Sequence, residues 1–160
     1  MKASEVSYLK FLEGTKQFIV PIYQRTYSWT RTQCEKLLED IIRVGNDQEL
    51  PAHFIGSIVY IEKGIYQVTS VSQLLVIDGQ QRLTTLSLLL SAISDSIDDG
   101  VDIAGFTKSK IKNYYILNNE EVGDLQYKLK LTRIDKDTHW RIIKGVDLPT
   151  NPSFRISENY

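Results

Sequence analysis

Residues 73–86, Gln73-Leu-Leu-Val-Ile-Asp-Gly-Gln-Gln-Arg-Leu-Thr-Thr-Leu86, change their hydrophobic period halfway along, and that change decides the fold class. Gln73 to Ile77 is a continuous apolar run of the kind found in a strand buried on both faces. Asp78 and Gly79 stop it abruptly. Beyond them Leu83, Leu86, Leu90, Ile93 and Ile97 recur at helical spacing, with Leu88 and Leu89 widening the apolar face, so a long helix follows. Strand, tight turn, helix is the central unit.

Working outward, the segment before it holds two strand candidates, His53–Ile61 (HFIGSIVYI) and Ile65–Ser70 (IYQVTS), whose three-residue separation predicts a hairpin. Further upstream, Cys34, Leu37, Leu38, Ile41 and Ile42 make one apolar stripe of a second helix, with Cys34 read as a core residue. Thr30 with Gln33, or Thr32 with Glu35, would cap that helix, and Gly45 would stop it. Gln17–Pro21 reads as a strand, Ser4–Glu13 as a short helix ended by Gly14, and Tyr23–Thr30 as a structured loop. Downstream, Thr107 caps a helix to about Leu117, and Tyr127–Thr132 alternates as a half-buried strand. Asp135 or Asp137 caps a helix ending at Gly145, and Ser157 opens another at the end of the chain. The mixture predicts an α+β fold: one small mixed sheet with surrounding helices.

Composition limits the function. The 160 residues are 42% hydrophobic and 24% charged, which excludes collagen-like and disordered classes. A formal charge of −1 excludes a general basic coat, so any polyanion site must be local. Residues 77–105 carry Arg82 as their single cation among five acids, while residues 106–144 hold nine cations against five anions. The latter is a solvated face or a DNA-facing surface. His53 and His139 fit no metal-ligand spacing, and the single Cys34 forms no internal disulfide. Without a targeting or membrane segment, the expected location is the cytoplasm.

Two clusters can carry chemistry. In the turn Asp78-Gly79-Gln80-Gln81-Arg82, free N–H groups and the positive end of a helix dipole converge on solvent, a setting for phosphate. Gly79 lets the backbone approach a ligand, Arg82 can fork onto phosphate oxygens, Gln80 and Gln81 can position a water, and Asp78 can bind Mg²⁺ or orient the attack. A plain structural reading also fits, with Asp78 as helix cap and Arg82 as a surface cation. Yet arginine in a first helical turn opposes the dipole by about 0.3–1 kcal/mol, which calls for an anion nearby. The second cluster is Pro21–Trp29. There Arg25 can pair with phosphate, and Tyr23, Tyr27 and Trp29 can stack on a base, or the rings can simply cover the core edge.

Two strings carry a resemblance: FIVPIYQRTYSW at 18–29 and VIDGQQRLTTL at 76–86, supported by FIGSIVY at 54–60. Together they resemble the N-terminal domain of GmrSD-type restriction endonucleases, a bacterial family with a fold similar to the ParB/sulfiredoxin superfamily. The resemblance implies a single domain over 1–160 that handles nucleotides in modification-dependent or anti-phage DNA restriction. Its DGQQR motif maps onto Asp78, Gly79, Gln80, Gln81 and Arg82, and its YQR motif onto Tyr23, Gln24 and Arg25. Relatives commonly continue into an HNH-type nuclease domain, so the chain is expected to be a fragment and not itself to cut DNA. These residues are open to three functions. The leading one is nucleoside triphosphate binding and hydrolysis, with Asp78, Gln80 and Gln81 catalytic and Gly79, Arg82, Tyr23, Gln24 and Arg25 holding the nucleotide. The others are a DNA module sensing modified bases through Tyr27 and Trp29, and a nuclease.

Overall fold

Alternating strand and helix segments assemble around one mixed sheet in the computed structural model, which describes residues 3–62 and 71–160. The strands are β1 (Lys16–Ile19), β2 (Val59–Glu62), β3 (Ser72–Asp78) and β4 (Leu129–Lys130), in the order β2-β3-β1-β4. β1 runs parallel to both β3 and β4, with Phe18 opposite Leu74 and Leu129, whereas β2 is antiparallel to β3. The apolar run at 73–77 thus becomes an inner strand, but it is not buried on both faces: Leu74 and Val76 are buried, whereas Leu75 is half-buried and Ile77 is 44% exposed. Six α-helices surround the sheet among the described residues: α1 (Tyr8–Leu12), α2 (Arg31–Asn46), α3 (Gln80–Ser96), α4 (Lys108–Ile111), α5 (Arg133–Lys144) and α6 (Phe154–Glu158). The fold is α+β.

The main core joins Phe18, Val20 and Val76 of the sheet region to Leu83 and Leu88 of α3, Ile142 of α5 and Ile156 of α6. A second cluster gathers Ile97, Ile111, Ile116, Tyr127 and Ile143, with the Tyr127 and Trp140 rings stacked at 4.0 Å. Burial of each large apolar side chain contributes about 1.5–3 kcal/mol.

Several sequence expectations change. His53–Ile61 yields a strand only from Val59, and it pairs with β3; the Ile65–Ser70 candidate lies outside the described residues. The Thr30–Gln33 pair is the one that caps α2, where Gln33 Oε1 accepts the Thr30 N–H at 2.9 Å, but Gly45 lies inside the helix. No side chain of α2 is buried: Leu38 and Ile42 are 40% and 52% exposed, and Cys34 is half-buried rather than in the core. The helix beginning at Thr107, whose Oγ accepts the Lys110 N–H, passes after one turn into a π-turn over Lys112–Ile116. Tyr127–Thr132 is not half-buried, because Lys128 is 3% exposed and donates to the Gly14 carbonyl. Burial and the nearby Lys16 charge push its ammonium down to about 8. α5 starts at Arg133, after Thr132, so neither Asp135 nor Asp137 is its N-cap, and Ser157 lies within α6, which follows Ser153. Gly145 does end α5 in the left-handed conformation.

Candidate functional site

Parallel pairing puts the C-terminal ends of β1, β3 and β4 on one edge of the sheet, and the antiparallel β2 begins there, with Val59 opposite Asp78. The loop after β1, the segment before β2 and the turn 78–82 therefore meet. Gly79 occupies the N-cap of α3 with φ 94° and ψ 7°. A Cβ on it would stand 3.0 Å from the Ser57 carbonyl oxygen and 3.1 Å from Ile58 Cα, so both conformation and space require glycine. No side chain caps the helix. The first intrahelical bond is Leu83 N–H to Gly79 O at 3.0 Å, leaving the N–H groups of Gln80, Gln81 and Arg82 ahead of it. Asp78 ends β3 as an exposed carboxylate and is not the cap.

The glutamines fasten the loop to this turn. Gln81, 7% exposed, accepts the N–H groups of Ser28 at 2.8 Å and Trp29 at 3.3 Å on its amide oxygen, and donates to the Thr26 carbonyl at 3.2 Å. Gln80 donates to the Arg25 carbonyl at 3.0 Å, and Gln24 reaches the other way, to the carbonyls of Val76 at 2.7 Å and Ile77 at 3.1 Å. Each amide does what a loop too irregular for secondary structure needs, satisfying backbone groups that have no ladder partner. In this arrangement the three amides hold the loop in position.

The aromatic residues separate. Tyr23 is 73% exposed at the rim. Tyr27, expected from the sequence to meet a base, is instead 5% exposed, with its hydroxyl bonded to Thr85 Oγ1 at 2.8 Å and to Cys34 Sγ at 3.3 Å. Burial, followed by the Cys34 contact, raises its phenol well above the usual range. Trp29 packs against the core, and its carbonyl accepts from Asn159 Nδ2 at 2.8 Å. Arg25 is exposed with no carboxylate partner among the described residues, whereas Arg82 is half-buried and donates to the Ser57 carbonyl at 3.3 Å.

Two participants escape sequence reasoning. Gly56, at φ +94°, leaves room for the Arg82 guanidinium: a Cβ there would lie 2.5 Å from Arg82 Nε. Asp135, 4% exposed, accepts the Tyr27 N–H at 2.6 Å and the Ser153 hydroxyl at 2.6 Å, so it braces the loop from α5. Gly56 sits inside the FIGSIVY string, the one signal that could have found it. Asp135 had no signal beyond its position near a helix start.

The basic region 106–144 is not a bare cationic face. Lys108 pairs with Asp99, Lys112 with Asp95 and Lys130 with Asp124, so part of the acidic stretch 77–105 neutralises it. Among the described residues no three His, Cys, Asp or Glu side chains gather as a metal site, and no helix is long and apolar enough to cross a membrane.

The family model described as GmrSD restriction endonuclease, N-terminal domain, matches residues 8–158 of the chain. No curated protein matches it.

Proposed function

Since the chain belongs to the GmrSD restriction endonuclease N-terminal domain family, and so to a DNA restriction system, we propose that its strand-end turn binds the phosphates of a nucleoside triphosphate and promotes hydrolysis. The observation that carries this reading is the uncapped N-terminus of α3 together with two arginines that have no carboxylate partner among the described residues, Arg82 on the helix and Arg25 on the loop tied to it. Free N–H groups and a helix dipole favour an anion at this turn, and guanidiniums on the helix and on the loop it holds are the donors that fork onto phosphate oxygens.

Hydrolysis is an in-line displacement in which a water oxygen bonds to the γ-phosphorus, the bond to the β–γ bridging oxygen breaks, and the proton leaves with the products. Gly79 admits the phosphate chain to the backbone, and Arg82 and Arg25 neutralise the charge on its oxygens. Asp78, an exposed carboxylate at the end of β3, is the residue to orient the water. Gln80, Gln81 and Gln24 hold the loop so that Arg25 keeps its place, and Tyr23 at the rim offers a stacking face to the base. Mg²⁺ is compatible with this donor set: it commonly takes one protein carboxylate and completes its shell with phosphates and waters, which a lone Asp78 allows and a protein cage would not need. When bound there it supplies further charge neutralisation on the phosphates. The paired lysines of 106–144 make the DNA-sensing reading the weaker one, because a phosphate backbone is gripped by free cations.

Calorimetric titration with GTP, ATP and CTP in Mg²⁺, together with phosphate release, tests the reading. At least one triphosphate should bind, and Arg82→Ala should weaken it by about 10–150-fold, the loss expected for a charge-assisted contact. No binding by the wild-type chain at millimolar nucleotide would overturn it.

A further inference from the structure

The seven arginines of the chain divide cleanly. Arg31, Arg43, Arg141 and Arg155 each pair with a carboxylate on their own helix, to Glu35, Asp40, Asp137 and Glu158. The three with no carboxylate partner among the described residues are Arg25, Arg82 and Arg133, and each follows the C-terminal end of one of three parallel strands that lie side by side in the order β3-β1-β4. We propose that Arg133 is the third cation of the strand-end site, and that the site takes an oligophosphate chain laid across the ends of β3, β1 and β4.

Arg133 opens α5 with φ 52°, the left-handed region that a long side chain enters at a cost of about 1–2 kcal/mol. Its side chain is exposed and makes no hydrogen bond or ion pair among the described residues, so no contact of its own offsets that strain. The nearby carboxylates are committed elsewhere: Asp135 to Tyr27 N–H and Ser153, Asp137 to Arg141. The guanidinium is thus left unneutralised at a strand end.

Three consecutive loop residues tie the arginines' elements together. The first turn of α3 holds the carbonyls of Arg25 and Thr26 through Gln80 and Gln81, and the first turn of α5 holds the N–H of Tyr27 through Asp135. Arg82 and Arg133 therefore belong to helix starts that both hold the Arg25 loop. Neighbouring strands lie about 4.8 Å apart, so the ends of β3 and β4 span about 10 Å with β1 between. One phosphate does not reach across such a row, but a chain of linked phosphates does.

This inference rests on the triphosphate reading above, and its test separates the two. Binding of GTP with Mg²⁺, of tripolyphosphate and of a single-stranded oligonucleotide is measured on the wild type, Arg82→Ala, Arg133→Gly and Arg141→Ala. Arg133→Gly removes the guanidinium while relieving the positive φ, so its melting temperature should hold or rise and a binding loss cannot be blamed on unfolding. Tripolyphosphate and GTP should both bind at least tenfold more weakly to Arg133→Gly, with Arg141→Ala unchanged. If Arg82→Ala weakens GTP and Arg133→Gly does not, the third-cation proposal fails and the triphosphate reading stands. If Arg133→Gly weakens only the oligonucleotide, the proposal also fails and Arg133 belongs to a nucleic-acid surface. If the wild type binds neither GTP nor tripolyphosphate, both fall.

Discussion

The guanidinium of Arg82 lies directly over the α-carbon of Gly56, so that a methyl group at Gly56 would stand 2.5 Å from Nε and 2.8 Å from Cζ. Side chain and glycine come from the segments that follow β3 and precede β2, which meet at one end of that antiparallel pair, and the contact sets where the charge of Arg82 can rest. The arginine is the flexible partner, so it moves rather than the backbone. Gly56→Ala should therefore cost the fold mainly its φ of +94°, about 1–2 kcal/mol, while displacing the guanidinium. Triphosphate affinity should fall toward that of Arg82→Ala even in protein that remains folded by circular dichroism. Wild-type affinity in folded Gly56→Ala would show that the position of Arg82 is not fixed from this side.

Gly79→Ala meets a different obstacle. Its Cβ would press on the Ser57 carbonyl and Ile58 Cα, which are backbone and cannot swing aside, in addition to the positive φ. The joint cost should be about 2–4 kcal/mol in denaturant unfolding. Gly145, equally left-handed but with open space where a Cβ would go, is the internal comparison, and Gly145→Ala should lose only about 1 kcal/mol. Equal losses at the two positions would remove the crowding argument.

Gln81 tests the positional use of the amides. Gln81→Glu keeps an acceptor for Ser28 and Trp29 but turns an oxygen toward the Thr26 carbonyl, placing a buried charge against a backbone acceptor. A loss of about 1–3 kcal/mol is expected, with altered fluorescence from the half-buried Trp29. A variant of wild-type stability would mean that the loop is held without this residue.

The strand-turn-helix unit was legible because its two periods, continuous apolar and then helical, are local properties of residues 73–97. So was the second helix, although the sequence left its cap open between Thr30–Gln33 and Thr32–Glu35 and set its stop at Gly45, inside the helix. Its burial was not, since periodicity names the apolar face of a helix without naming what covers it, and in α2 that face is at most half-buried. The same gap explains Tyr27 and Asp135. An aromatic in a polar loop reads as a binding residue until a neighbour such as Thr85, 58 positions away, takes its hydroxyl. The register that aligns the ends of β1, β3 and β4, and with them Arg25, Arg82 and Arg133, exists only in three dimensions.

His139 gives the fold an acid limit. Its ring is wholly buried between α5 and α3, where Nε2 meets Ser87 Oγ at 2.9 Å and Nδ1 has no partner, as Ser91 Oγ on the facing turn has none. Burial pushes the imidazole down to about 4 from its ordinary 6.5. Between those values the unfolded chain binds the proton and the folded chain does not, so stability is complete above pH 6.5 and is lost as pH falls toward 4. For one such group the loss at pH 5 is about 2 kcal/mol. Urea unfolding at pH 7, 6 and 5 should show that slope in the wild type. His139→Leu, which removes the titrating ring though it leaves Ser87 Oγ unpaired, should be less stable at pH 7 but nearly level from pH 7 to 5, where most carboxylates have yet to protonate. A slope of wild-type size in His139→Leu would assign the acid sensitivity to another group.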